Sequence, residues 1–228
     1  MRSHFEFLLT ALLFCLGAQW PVHADDVQAK LDKRIKVEKS IDAPLKDVLR
    51  YLSDQYGLKI EVDNAAFETE KLKDPRDMRA RIPKMDPVFL DTMLRLALDS
   101  CNAVYEVRGD SIIIMPNRNL GKVREFPARS EAQKKAQKEL AERVSKWQPE
   151  VEKEFEAPIK DIVEFLSDRF DITILIDYIE LSGLGNNRAR IKAGKTTFDD
   201  VMKQMLKDVD ATYRVEPDYI RIVRKRQS

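Results

Sequence analysis

The stretch Val37–Asp63, "VEKSIDAPLKDVLRYLSDQYGLKIEVD", is nearly repeated at Val151–Asp177, "VEKEFEAPIKDIVEFLSDRFDITILID". The two copies align without a gap, and most differences keep the residue type. Further on, "RARI" recurs at Arg79–Ile82 and Arg188–Ile191 at a slightly smaller spacing, so the second copy has the shorter loop. The segments "NAVYEVRGDSIIIM" and "DATYRVEPDYIRIV" then match through Tyr105/Tyr213, Val107/Val215, Asp110/Asp218 and Ile112/Ile220. An internal repeat is the first thing to establish, because each copy must fold by the same local rules. Whole units of roughly 75–80 residues are duplicated, within the usual range for a small domain.

Within a unit the local signals are legible. Val37, Lys39 and Ile41, like Val151, Lys153 and Phe155, alternate as a strand with one buried face. A helix follows: Pro44 and Pro158 suit a first helical position, and Leu45, Val48, Leu49, Leu52 and Tyr56 fall on one apolar stripe. Ile159, Ile162, Val163, Leu166 and Phe170 repeat that stripe. Gly57 suits a left-handed helix end, and Asp171 tolerates one less readily. "LKIEVD" and "ITILID" are rich in β-branched residues, and "RARI" reads as a short strand. The second helix is expected to begin after Asp86-Pro87 and around Thr196-Thr197, with Leu90, Leu94, Ala97, Leu98 and Cys101 as the buried face in the first unit. A hairpin closes each unit. The expected class is α+β: two similar small domains, each β-α-β-β-α-β-β with two helices packed on short sheets.

The ends and the composition set the compartment and exclude whole classes of chemistry. Arg2, the apolar run Phe7–Leu16 and the closing "PVHA" follow the pattern of a secretory signal peptide cleaved after Ala24. The apolar run is short of the roughly 20 residues that span a bilayer, so no membrane span is expected after cleavage. Phe14 stands before Cys15 where a lipoprotein signal would carry a small residue. Both histidines, His4 and His23, lie in this segment, and only Cys101 remains beyond it. A zinc site of His and Cys, and His-activated nucleophiles, are thereby excluded from the mature chain. With 40 Lys plus Arg against 39 Asp plus Glu, the chain lacks the basic excess of a nucleic-acid binder.

The pattern "APL.DVL..L....GL.I.VD", then a second helix, then "Y.V....I.I", resembles the secretin and TonB short N-terminal domain, STN, present here in tandem. The resemblance covers about Ile35–Met115 and Val151–Arg224. It implies a protein-interaction module at the periplasmic front of secretion channels or TonB-dependent receptors, without catalytic activity or cofactor. The expected organisation is a signal peptide over 1–24, STN-like domains over 35–118 and 150–228, and a charged helical linker over 119–149. No pore, plug or barrel segment is read in this sequence, so the expected protein is a periplasmic adaptor. Its partner would be an envelope protein, a component of a secretion, pilus or TonB system.

Between the units, Ser130 and Gln133 can form a capping box, and strong helix formers run from Glu131 to Trp147. Ala132, Ala136, Leu140, Val144 and Trp147 share one stripe, which either rests on a unit or docks a partner through Trp147. Tyr51 and Phe165 fall beside the apolar stripe of the first helix in each unit, as packing at its edge or as partner contacts. The changes Arg50 to Glu164 and Gln55 to Arg169 also lie off the stripe and give the copies different surfaces. Candidate partner-binding residues are therefore Tyr51, Phe165, Trp147, Arg50 and Glu164.

The recurring carboxylates Asp47/Asp161 and Asp54/Asp168 also lie off the stripe, and the first pair suits the positive end of a helix better than acid–base work. "SGLGNN" at Ser182–Asn187 has one residue between its glycines, unlike an RNA-binding loop, and the basic tail "RIVRKRQS" reads as a solvated end. An alternative function is a small-ligand binder, or a carboxylate-dependent hydrolase, acting in the cleft between the units.

Overall fold

The computed structural model describes residues 24–118, 126–148, 150–177, 181 and 183–225. Residues 1–23 of the signal segment, 119–125 of the expected linker, part of "SGLGNN" and the last three residues of the tail lie outside the described residues. The chain is an α+β protein of short helices and sheets of two or three strands. The first half runs α1 (Ala24–Leu31), β1 (Arg34–Val37), β2 (Ile41–Pro44), α2 (Leu45–Tyr56), β3 (Lys59–Val62) and α3 (Asn64–Thr69). It continues with β4 (Arg79–Ile82), β5 (Met85–Phe89), α4 (Leu90–Asp99), β6 (Ala103–Arg108) and β7 (Ser111–Pro116). After α5 (Glu131–Ser145), the second half runs β8 (Glu150–Val151), β9 (Phe155–Pro158), α6 (Ile159–Phe170), β10 (Thr173–Ile176) and β11 (Arg188–Ile191). It ends with β12 (Gly194–Lys195), α7 (Phe198–Leu206), β13 (Ala211–Val215) and β14 (Tyr219–Arg224).

Each half carries a three-stranded sheet, ordered β3-β7-β6 and β10-β14-β13, in which the hairpin is antiparallel and the first strand joins parallel. The parallel pair is possible because a helix and further strands intervene between its members. The stripes of α2 and α6 are buried at Leu45, Val48, Leu49 and Leu52, and at Ile159, Ile162, Val163 and Leu166. They face Ile112 and Ile114 of β7, and Ile220 and Ile222 of β14, in two separate clusters of buried residues. Burying one such aliphatic side chain is worth about 1.5–3 kcal/mol, so these stripes are the main reason the helices form where they do. Cys101 is buried just beyond α4, and burial pushes its thiol up to about 11, so it packs as a small hydrophobe.

Several expectations are corrected. The alternating first strand is two short strands in each half, because β1 pairs with β5 while β2 pairs with β4, and the chain bends between them. In the second half β8 pairs with β12 and β9 with β11. Pro44 and Pro158 sit at the N-cap, one residue before the helix. α4 starts at Leu90, after Asp86-Pro87 as expected, but those two residues, joined by a cis bond, lie inside a strand, β5, that is not in the expected order. The start of α7, by contrast, falls where expected, with Thr197 as the cap, whose hydroxyl and backbone bond reciprocally with Asp200.

The helix between the units is also more engaged than a solvated connector. Leu140 and Val144 are buried in the second cluster, where they play the part that Val27 and Leu31 of α1 play in the first. Ala132 is exposed and Gln133 is buried instead, so the buried face is rotated from the expected stripe. The Ser130 hydroxyl accepts from the Gln133 N–H, but the Gln133 side chain donates to Asp32, and the capping box is half formed.

Candidate functional site

The two halves meet on the outer face of the sheet β10-β14-β13. Tyr219 is buried in the first half's core, and Leu175 packs against the same cluster. The Asp218 side chain is fully buried. It accepts hydrogen bonds from the Phe89 N–H (3.0 Å), the Thr92 hydroxyl (2.6 Å) and Arg34 (2.5 Å), all in the first half. Burial raises its pKa above the ordinary 3.8, against the pull of Thr92, Phe89 and Arg34 in the other direction. Arg221 reaches Asp99 of the first half with one nitrogen and Asp177 of the second with another, each at 2.6 Å. Burial disfavours the guanidinium charge, but Asp99, Tyr219 and Asp177 outweigh it and hold its pKa above the usual range. Arg129 pairs with Glu216, and Gln137 donates to the Val215 carbonyl at 2.7 Å. Asp32 accepts from both Ser130 (2.8 Å) and Gln133 (3.0 Å). The buried Gln133 Oε1 is left without a partner among the described residues, but the other bonds are specific in geometry, and polar groups bonded across a junction favour one arrangement of its sides.

Two open cavities lie along this junction. One, of about 1040 Å³, is walled by Pro83, Lys84 and the start of β5, by α5 and by the C-terminal end of α6. The other, of about 670 Å³, lies between β2 and β4 on one side and Lys160, Val163 and β10 on the other. Both share Pro83, Ile174 and Leu175, so they adjoin along β10.

The corresponding strands β3 and β10 are edge strands, each paired on one side only. An edge presents unpaired backbone N–H and C=O groups and is a liability that proteins guard. β3 is guarded by charge: Lys59 and Glu61 are exposed, and Lys59 reaches Asp110 at 3.5 Å. β10 reads Thr-Ile-Leu-Ile and carries no charge, and the two cavities shelter it.

The residues singled out from sequence are not gathered into one place. Tyr51 is 46% exposed and meets Tyr56 edge-on at 6.2 Å, while Phe165 is 56% exposed on α6. Arg50 donates to Asp47 at 2.9 Å on the solvent side of α2, and Glu164 is exposed on α6. Trp147 is engaged within the chain: its ring stacks on Phe170 at 4.4 Å and meets Phe198 edge-on at 5.3 Å. Asp168 lines the larger cavity, whereas Asp54 and Asp161 are exposed on their helices. Among the described residues no cluster of carboxylates, Cys or His could hold a metal.

A recurring set was missed from sequence. Asp91 accepts from Arg95 (2.8 Å) and from the Tyr105 hydroxyl, and Asp199 accepts from Lys203 (2.5 Å) and the Tyr213 hydroxyl (2.8 Å). The first set is buried beneath Phe126 and Pro127, whose carbonyl accepts from Arg95, and the second is largely open. Its members share the spacing of Tyr105 and Tyr213, which was the signal available. Comparison of the chain with protein-family models, curated proteins and solved structures finds no match.

Proposed function

We propose that this chain is an exported, non-enzymatic interaction module of the cell envelope, of the adaptor kind that the STN resemblance implies. The observation that carries this reading is that β3 and β10, matching strands of the two halves, are each paired on one side only among the described residues. Such an edge binds another chain through main-chain hydrogen bonds, with neighbouring side chains setting the specificity. The partner is an envelope protein, met in the periplasm. The test is photocrosslinking in intact cells from residues placed at Glu61 on β3 and Thr173 on β10. The expected result is one recurrent protein adduct; exported chain with no adduct at either edge overturns the proposal.

A second reading, a small-ligand binder between the halves, is favoured by one observation. The 670 Å³ cavity joins apolar walls such as Ile82 and Val163 to the cations Arg81 and Lys160, a combination suited to small amphipathic anions.

A further inference from the structure

We infer that β10, rather than β3, is the receiving edge, and that its occupant is an extended peptide with an acidic residue at the Ile176 end and a basic one at the Thr173 end. This rests on the interaction-module reading.

The phase of the backbone comes first. The Asp177 N–H donates to the Ile222 carbonyl, so in this parallel pair Asp177, Leu175 and Thr173 turn their backbone groups toward β14. By alternation, Ile174 and Ile176 turn theirs outward into the cavities. Among the described residues no backbone group of another segment bonds to them from that side. Pro83, which lines both cavities beside this edge, has no N–H to donate to an outward carbonyl. An incoming strand supplies both donors and acceptors at the same spacing of about 3.3 Å per residue.

Charge sets the polarity. In the smaller cavity, beside Ile176, four cations face three carboxylates. All three carboxylates are engaged, Asp42 by Arg79 and, at 3.8 Å, by Arg81, and both Asp99 and Asp177 by Arg221, which leaves Lys160, with the loosely held Arg81 across the cavity, to meet an acidic group. In the larger cavity, beside Thr173, five carboxylates face three cations, with Asp168 and Asp171 on the α6 wall. Between the two ends the walls are Val163 and Pro83, suited to small apolar side chains. β3 lacks this setting, since its own Lys59 and Glu61 guard the edge.

The probes are four capped heptapeptides with a Thr-Val-Thr-Val-Thr centre: Asp first and Lys last, the reverse, Asp at both ends, and Lys at both ends. Each is titrated into the isotope-labelled full chain while backbone amide signals are followed. Shifts are expected at the Ile174 and Ile176 amides, with the two bipolar peptides binding about three- to tenfold more tightly than the uniformly charged ones. In the double variant R81E/K160E both ends are acidic, and the preference should pass to the peptide with Lys at both ends. Equal binding of all four peptides overturns the charge assignment. Shifts confined to Ile60 and Val62 place the site on β3 and overturn the inference while leaving the module reading intact. No shift at either edge at millimolar peptide also overturns the inference, and crosslinking in cells then judges the broader reading independently.

Discussion

The carboxylate of Asp218 lies 2.5 Å from the guanidinium of Arg34, joining residues 184 positions apart across the junction of the two halves. Its counterpart in the first hairpin, Asp110, is half-exposed and bonds to Ser111 and Lys59 of its own half. One hairpin position thus serves a turn in one half and a latch in the other.

Replacing Asp218 with Ala strands the Phe89 N–H, the Thr92 hydroxyl and the Arg34 charge. The expected loss is about 2–4 kcal/mol by denaturant unfolding. Because the folded pKa lies above the unfolded 3.8, the folded chain holds the extra proton in a window that opens near pH 4. The Asp218 contribution therefore falls as pH rises through that window and is constant above it. Asp218→Asn should remove this slope; an unchanged pH profile would sink the assignment.

Arg221 separates Asp99 from Asp177, and all three side chains are largely or wholly buried. The residue at this hairpin position in the first half is Ile113, whose neighbours in register, Glu61 and Glu106, are not buried. Arg221→Ile should therefore cost about 3–5 kcal/mol, since it leaves two buried carboxylates without their shared cation. Asp99→Asn combined with Asp177→Asn in the same background should recover part of that loss, as coupled sites do. A double-mutant cycle that shows simple additivity would count against the bridge.

The stripes of α2 and α6 were readable because their stabilising contacts recur every three or four residues along the chain. The broken first strand was not, because its halves are separated by partners far along the chain: Ile35 meets Val88, while Ile41 meets Ile82. α1 was not read either, since eight residues with two buried apolar side chains make a weak periodic signal. The junction did leave a trace, in the change from Ile113 to Arg221 within otherwise matching strands. Its meaning needed the position of Asp99, which no local pattern supplies.

The ends of α2 and α6 offer a matched pair of backbone tests. Gly57 closes α2 at φ 62°, and an added Cβ would meet only the Lys30 Nζ, at an ordinary 3.9 Å. Gly57→Ala should thus cost about 1 kcal/mol, from backbone strain alone. Asp171 closes α6 at φ 49°, where an L side chain is already strained. Asp171→Gly should be stabilising by about 0.5–1 kcal/mol in thermal unfolding, and a loss of stability there would contradict the left-handed cap.

Trp147, Tyr51 and Phe165 looked alike in the sequence, as aromatic residues beside or on a helix stripe, and their environments now separate them. Trp147 lies between Phe170 and Phe198, and its carbonyl accepts from the Phe198 N–H at the start of α7. Trp147→Ala should cost about 2–4 kcal/mol, with part of the lost energy coming from the stacked pair. Tyr51→Ala and Phe165→Ala should stay within about 0.5 kcal/mol of the parent, because both rings are about half exposed and outside the two buried clusters. Urea unfolding of the three variants side by side checks the contrast. If Phe165→Ala proved as costly as Trp147→Ala, the exposed face of α6 would have to be part of the folded chain's own packing, and it could not be offered to a partner.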